Sequence, residues 1–173
     1  MSKVMLKNVR LSFPSVFHKA NFNGQETKYE ATMLIPKSDK KLIKKIQEEM
    51  KLVQGKLKVS SDKFCLKDGD DVEYEGFADH FSLKASNSKR PTVINRDREP
   101  ITEDDDVIYG GCYVNAIVDF WAQNNNYGKR INANLLGVQF VKHGEPFGEG
   151  GTSAGANDFD DISDDFDDDD DDF

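Results

Sequence analysis

The apolar positions of this 173-residue chain recur mostly at every second residue, the spacing of half-buried strands. The first such stretch, residues 4–13, mixes Val, Leu and Phe with Lys, Asn and Arg and halts at Pro14, which predicts a strand with one irregularity. After an Asn- and Gly-rich loop at 19–25, Tyr29, Ala31, Met33 and Ile35 alternate with Glu30, Thr32 and Leu34 until Pro36, predicting a second strand. The period then changes. Leu42, Ile43, Ile46, Met50 and Val53 recur at three and four residues between Ser38, a candidate cap, and Gly55, which predicts one helix. Its other face carries Lys40, Lys41, Lys44, Lys45 and Lys51, the composition of a solvated surface.

Past turn signals at 67–71, alternation returns over 77–86, with Phe77, Phe81, Leu83 and Ala85 assigned to the core and His80, Ser82, Lys84 and Ser86 to the opposite face. A basic loop, Asn87-Ser88-Lys89-Arg90-Pro91, leads to a short strand at 92–94 and a charged loop at 95–106. The strongest alternation lies in 112–121: Cys112, Val114, Ala116, Val118 and Phe120 form an apolar face, and Tyr113, Asn115, Ile117, Asp119 and Trp121 the other. Asn124-Asn125-Asn126-Tyr127-Gly128 supplies turn chemistry, and 130–141 returns with Ile131, Ala133 and Leu135 inward and Arg130, Asn132 and Asn134 outward. Beyond Asn134 the phase slips to Leu136, Val138 and Phe140, with Gly137 at the change, as a bulge would cause. Bulges bend strands into small barrels. The expected fold is mostly β, a closed or partly open barrel over residues 1–147 with one α-helix.

Charge divides the chain at the same point. The formal net charge of −9 argues against a phosphate-binding surface, but twelve of the 32 acidic residues fall in 148–173, which holds no Lys or Arg. That leaves 20 acidic against 23 basic residues in 1–147, a mildly positive body. From Phe147 the sequence turns to GEGGTSAGAND, a linker composition, and then to repelling carboxylates among which only Phe159, Ile162, Phe166 and Phe173 are large and apolar. Such a segment cannot offset its ordering entropy, so 148–173 is expected to be a disordered acidic tail.

No apolar run approaches the ~18–20 residues that span a bilayer, and MSKVMLKNVR has no apolar signal region, which predicts a cytosolic protein without membrane attachment. Cys65 and Cys112 stand apart from each other and from any CxxC or His cluster, so neither a disulfide nor a zinc site is expected, and no other cofactor. The run Glu103-Asp104-Asp105-Asp106 could be read as magnesium ligands of a nuclease, but four adjacent acids cannot converge on one ion, and no nucleophile motif or phosphate-cradling Gly-rich loop accompanies them. Catalysis is not indicated.

Single-strand binding without sequence preference needs cations along the backbone and aromatic faces for unstacked bases. Trp121 and Tyr113 point away from the apolar face of their strand, and a hairpin at 124–128 would bring Arg130 and Asn132 onto the same outer surface, with Tyr127 and Lys129 in the turn. Lys84, Lys89 and Arg90, on the outer face and tip of another strand, could extend that groove. Against this stands a Trp and a Tyr that merely pack at the strand ends.

The segments NVRLSFPSVF, YEATMLIPKSD, KRPTVINRDREPI and YGGCYVNAIVDFWAQNNNYGKRINANLLGVQFVKHGEPFG, with the terminal DDDDDDF, resemble a family of phage single-stranded DNA-binding proteins with an OB-type barrel. The resemblance covers most of residues 1–147 in order. It implies non-catalytic protection of single-stranded DNA in phage DNA replication or recombination, in the cytoplasm of a bacterial host, by a monomer or a homo-oligomer. The tail resembles the acidic, Phe-ending C-termini of bacterial and phage single-stranded DNA-binding proteins generally, although the Pro beside the terminal Phe of many bacterial versions is absent. That likeness implies that Asp167, Asp168, Asp169, Asp170, Asp171, Asp172 and Phe173 dock replication or recombination proteins. The rival readings are an acidic DNA mimic that occupies a basic host protein and, behind it, a metal-dependent phage nuclease.

Overall fold

The computed structural model describes residues 2–147, so the expected acidic tail at 148–173 lies outside the described residues. Nine strands are described: β1 (Ser2–Ser15), β2 (Asn21–Phe22), β3 (Gln25–Glu26), β4 (Tyr29–Pro36), β5 (Leu66–Asp68), β6 (His80–Asn87), β7 (Thr92–Ile94), β8 (Tyr113–Asn125) and β9 (Gly128–Lys142). One α-helix, α1 (Lys40–Gln54), lies between β4 and β5. β1 pairs antiparallel with both β4 and β8, β4 with β6, and β8 with β9. A parallel bridge from Ser86 of β6 to Asn134 of β9 joins the two free edges. The result is a closed five-stranded barrel, β1-β4-β6-β9-β8, of the OB type.

β5 fills the wedge where β6 and β9 diverge, pairing Leu66 with Leu83, while the Cys65 N–H donates to the Ile131 carbonyl at 2.9 Å. β7 extends the other end of β9 in parallel, Thr92 opposite Gly137. β2 and β3 form a separate small hairpin between the first two barrel strands.

Closing so few strands demands sharp bends, and bulges provide them. In β1, Lys7 and Asn8 together oppose Asn115, because the register runs from Leu6↔Ala116 to Val9↔Val114. Asn8 takes a φ of 55°, which Asn tolerates better than most residues, and its N–H donates to Asn115 Oδ1 at 2.8 Å. A second bulge sets Phe13 and Pro14 against Ala31. In β9 the register passes from Leu135↔Val118 to Gly137↔Ile117, which leaves Leu136 as the extra residue. The expected bulge is therefore present, one position before Gly137.

The core collects the inward set read from the alternation: Cys112, Val114, Ala116, Val118 and Phe120 of β8 with its preceding residue, and Ile131, Ala133 and Leu135 of β9. α1 adds Ile43, Ile46 and Met50 and packs against β1, β8 and β9. Its N-cap is Asp39 and not Ser38; the Asp39 side chain accepts the Leu42 N–H at 3.3 Å, and Gly55 ends the helix as expected.

Two expectations are corrected, the outward phase of Leu34 and the start of the strand after Phe77, whose burial is as expected. Residues 31–35 of β4 are all buried, Leu34 on the outward phase included, and β6 begins at His80, so Phe77 precedes it. A second apolar cluster, Leu34, Phe77 and Phe147, with Phe13 packed against it, covers the outside of β4. Tertiary contact, invisible to strand periodicity, makes this patch two-sided. Among the described residues no helix is long and apolar enough to cross a membrane.

One substitution at two sites tests the packing. Leu135, fully buried in the core, loses about 2–5 kcal/mol of stability on replacement by Ala. Leu52→Ala, on the exposed side of α1, is expected to stay within about 0.5 kcal/mol of the unsubstituted chain. Urea midpoints at unchanged slope measure both.

Candidate nucleic-acid interface

The bends that close the barrel leave one long groove on its outer surface, about 1200 Å³ in volume. Outward residues of the second and third barrel strands line it: Glu30 and Thr32 from β4, Ser82, Lys84 and Ser86 from β6. Residues 61–68 and the loop ahead of β6 contribute one group of lining residues, with Lys63, Lys67, Asp71 and Tyr74 among them. The β8–β9 hairpin contributes Trp121, Gln123, Arg130 and Asn132.

Cross-strand register explains the hairpin's contribution. Trp121 lies directly opposite Asn132, and Gln123 opposite Arg130, so all four project from one face. Asn132 Nδ2 donates to Gln123 Oε1 at 2.9 Å, and Trp121 keeps 37% of its surface in solvent. An indole that exposed, among amides and a guanidinium, offers a flat apolar face beside hydrogen-bond donors.

Of the nine residues singled out in the body, the groove takes in Trp121, Arg130, Asn132 and Lys84. Tyr127 and Lys129 sit at the hairpin tip beyond its lining, Tyr127 with 87% of its surface exposed. Lys89 and Arg90 lie outside it too; Arg90 Nη2 donates to the Phe17 carbonyl at 2.8 Å. Tyr113 does not line the groove. It stands eight positions from Trp121, about 26 Å of strand, and two register shifts against β9 fall between them. The Tyr113 ring instead lies under Arg10, 5.6 Å from its centroid, and Lys142, at 4.8 Å.

Charge in the groove is nearly balanced, with Lys28, Lys63, Lys67, Lys84 and Arg130 against Glu30, Asp62, Asp68 and Asp71. Lys84 Nζ stands 3.0 Å from Glu30 Oε2, a diagonal pair across β4 and β6. Lys37 is held twice, 2.7 Å from Asp68 Oδ1 and 2.7 Å from Asp70 Oδ2. The hydrogen bonds from Lys37 hold both carboxyls below the ordinary range, and the two carboxylates raise Lys37 above that of a free lysine. Asp70 Oδ1 also accepts the Asp79 N–H at 2.9 Å, so this cluster fastens the loop that carries Tyr74. Burial pushes the Cys65 thiol up to about 12, and Cys112 upward as well, which keeps both as unreactive thiols. In the acidic run at 103–106, Glu103–Asp105 form a single 3₁₀ turn in which Asp105 Oδ2 accepts the Thr102 N–H at 2.8 Å.

Sequence reasoning missed Phe13, Tyr74, Lys28, Lys63 and Lys67, all of which line the groove. Lys28, Lys63, Lys67 and Tyr74 stand outside the periodic segments. Phe13 is the last residue of the first strand predicted from the sequence, with no face assigned to it, and its φ of 48° at the bulge accompanies its outward position.

The arrangement has known counterparts. A family model described as Enterobacter phage Enc34, ssDNA-binding protein, matches residues 2–173. Protein p50 of Acyrthosiphon pisum secondary endosymbiont phage 1 is 43% identical over 175 residues, covering 93% of this chain and 94% of that protein. The bacteriophage Enc34 single-stranded DNA-binding protein in complex with ssDNA superposes with a TM-score of 0.78 at 37% identity, over 85% of this chain and 90% of that one. Bacteriophage T7 gp2.5, also a single-stranded DNA-binding protein, shares the fold at 12% identity and a TM-score of 0.57, over 90% of this chain and 99% of that one.

The Lys37 cluster predicts a local response to acid. Because Asp68 and Asp70 are depressed, the anchor is intact above the ordinary carboxylate range and is lost as pH falls through their lowered values. Amide protection factors over 69–79 are expected to fall on acidification before those of β4 and β8. Uniform loss across the barrel would contradict this anchor.

Proposed function

The chain belongs to the family of the Enterobacter phage Enc34 single-stranded DNA-binding protein, and we propose that its groove holds single-stranded DNA without chemistry and with little base preference, protecting the strand during phage replication or recombination. The observation that carries this reading is the groove's position: it lies on the faces of barrel strands two and three, beside a solvent-open Trp121 set among Arg130, Asn132 and Lys84. In OB barrels that face, with the loops joining strands one to two and four to five, receives oligonucleotides. Here those loops are the β2–β3 hairpin and the β8–β9 tip, where Tyr127 and Lys129 extend the surface.

Trp121 is the stacking platform and the cations follow the phosphates. Because the groove's charge is nearly balanced, few phosphates are neutralised, and stacking supplies most of the affinity. Glu30 limits it further by occupying Lys84 where a phosphate would sit.

The tail adds a second role. Phe147 packs with Phe77, a groove-lining residue, and Arg10 grips the same segment, 4.2 Å from the Phe147 ring centroid and 2.7 Å from the Glu145 carbonyl. The twelve carboxylates of 148–173 follow Phe147 in sequence and compete with DNA, and the segment ending in Asp167–Phe173 docks replication or recombination proteins.

Trp121→Ala is expected to weaken single-strand binding by about 1–3 kcal/mol with the fold intact, and Trp121 fluorescence to be quenched on adding oligonucleotide. An indole indifferent to DNA would refute the groove. With three or four phosphates contacted, log affinity should fall with log salt at a slope of roughly −2 to −3. Glu30→Gln should tighten binding and steepen that slope by about 0.7, one phosphate's share; weaker binding would mean that Glu30 does not compete. Removal of 148–173 should tighten binding most at low salt, whereas removal of Phe173 alone should cost partner docking and leave DNA affinity nearly unchanged.

A further inference from the structure

We propose that Phe13 and Tyr74 form a second nucleobase subsite in the groove, separate from Trp121, and that the acidic flanks of Tyr74 turn the phosphates of that nucleotide away. The inference rests on the groove reading above and specifies which part of the strand this region takes.

Phe13 continues the inward phase of Leu11, so a regular β1 would bury its ring in the core. Instead Phe13 holds a φ of 48°, a region that a non-glycine residue enters only when its surroundings impose it. The bulge with Pro14 sends the ring outside the barrel, 5.1 Å from the Tyr74 ring and 6.2 Å from Phe77. Tyr74 meets both rings edge to face, yet 55% of its surface stays in solvent. Both line the groove. A phenol this exposed, held at the edge of two rings, leaves apolar surface open to a further ring.

The platform is also rigid. Its loop is tied down by Lys37 through Asp70 and by buried Phe77, and Gly69 runs so close that a Cβ there would lie 2.2 Å from the Phe77 carbonyl oxygen. A ring held this firmly stacks on a base without first losing its own freedom.

Charge decides which end of a nucleotide can approach. Asp71, Glu73 and Glu75 flank Tyr74 in sequence, and no Lys or Arg occurs from 69 to 83. A phosphate is repelled there, while a neutral base is not. The groove cations Lys28, Lys63, Lys67 and Arg130 lie on other segments, where the sugar-phosphate backbone has its counter-charges.

The test uses the full chain and oligothymidylates, with Trp121 quenching reporting groove occupancy. Tyr74→Ala and Tyr74→Leu should each weaken binding roughly 5- to 100-fold, the effect of one lost base stack. The salt slope and final quench should stay unchanged, since no phosphate contact and no Trp121 contact is lost. Leu keeps the packing on Phe13 and Phe77, so a denaturation midpoint near that of the unsubstituted protein shows that folding is not the cause. Tyr74→Phe should bind normally. An abasic strand keeps phosphates but offers no rings to quench Trp121; read instead by its competition with a fluorescently labelled oligothymidylate, it should bind the Tyr74→Leu protein and the unsubstituted protein equally. Normal thymidylate binding by Tyr74→Leu, or a weakened affinity with a shallower salt slope, would overturn the subsite. Absence of Trp121 quenching in the unsubstituted protein would overturn the groove itself.

Discussion

Closing five strands on themselves is the constraint from which the other features descend. The single parallel bridge between Ser86 and Asn134 joins edges that would otherwise stay open, and a ring this small closes only if strands bend sharply. Each bulge has a consequence beyond the bend. The one at Phe13 and Pro14 moves an aromatic ring from the core phase to the outer surface, and the one at Leu136 resets the phase of β9. β5 then fills the wedge that the bridge leaves, and it and the turn before it bring Lys67 and Lys63 to the groove.

The inside of such a barrel is narrow, so the sequence spends its interior positions on Val, Ala, Leu and Ile and leaves several of its aromatics for the exterior. Phe13, Tyr74, Phe77 and Phe147 gather on the outside of β4, and Trp121 stands open on β8. An exterior rich in rings suits a ligand whose own rings must leave water. Carboxylates inside the groove suit the same reading: Glu30 occupies Lys84, and Glu30, Asp62, Asp68 and Asp71 nearly balance the groove's cations, which weakens its pull on phosphates.

Strand phase carried most of the fold. Alternation over 112–121 assigned the buried face of β8 correctly because that strand is covered by core on one side only, and the phase slip near Gly137 disclosed a bulge. Phase failed where a second contact covers the outer face, as at Leu34, and where eight residues of curved strand separate two side chains of equal phase, as with Tyr113 and Trp121. The pairing of Glu30 with Lys84 was out of reach for a related reason. Both lie on outward positions, but only the register of β4 on β6 makes them neighbours. Tyr74 lies in an acidic loop outside the periodic segments, and its ring becomes legible only through its contacts with Phe13 and Phe77.

The central claim is that one outer groove, across β4, β6 and the β8–β9 hairpin, is where the strand lies. Backbone amide shifts of the full chain, followed by NMR as an oligothymidylate is added, test it most directly. The account predicts that the largest changes cluster at Thr32, Ser82, Lys84, Ser86, Gln123 and Asn132, with α1 unmoved. Changes centred on the lysine face of α1, at Lys40, Lys41, Lys44, Lys45 and Lys51, with a silent groove, would contradict it.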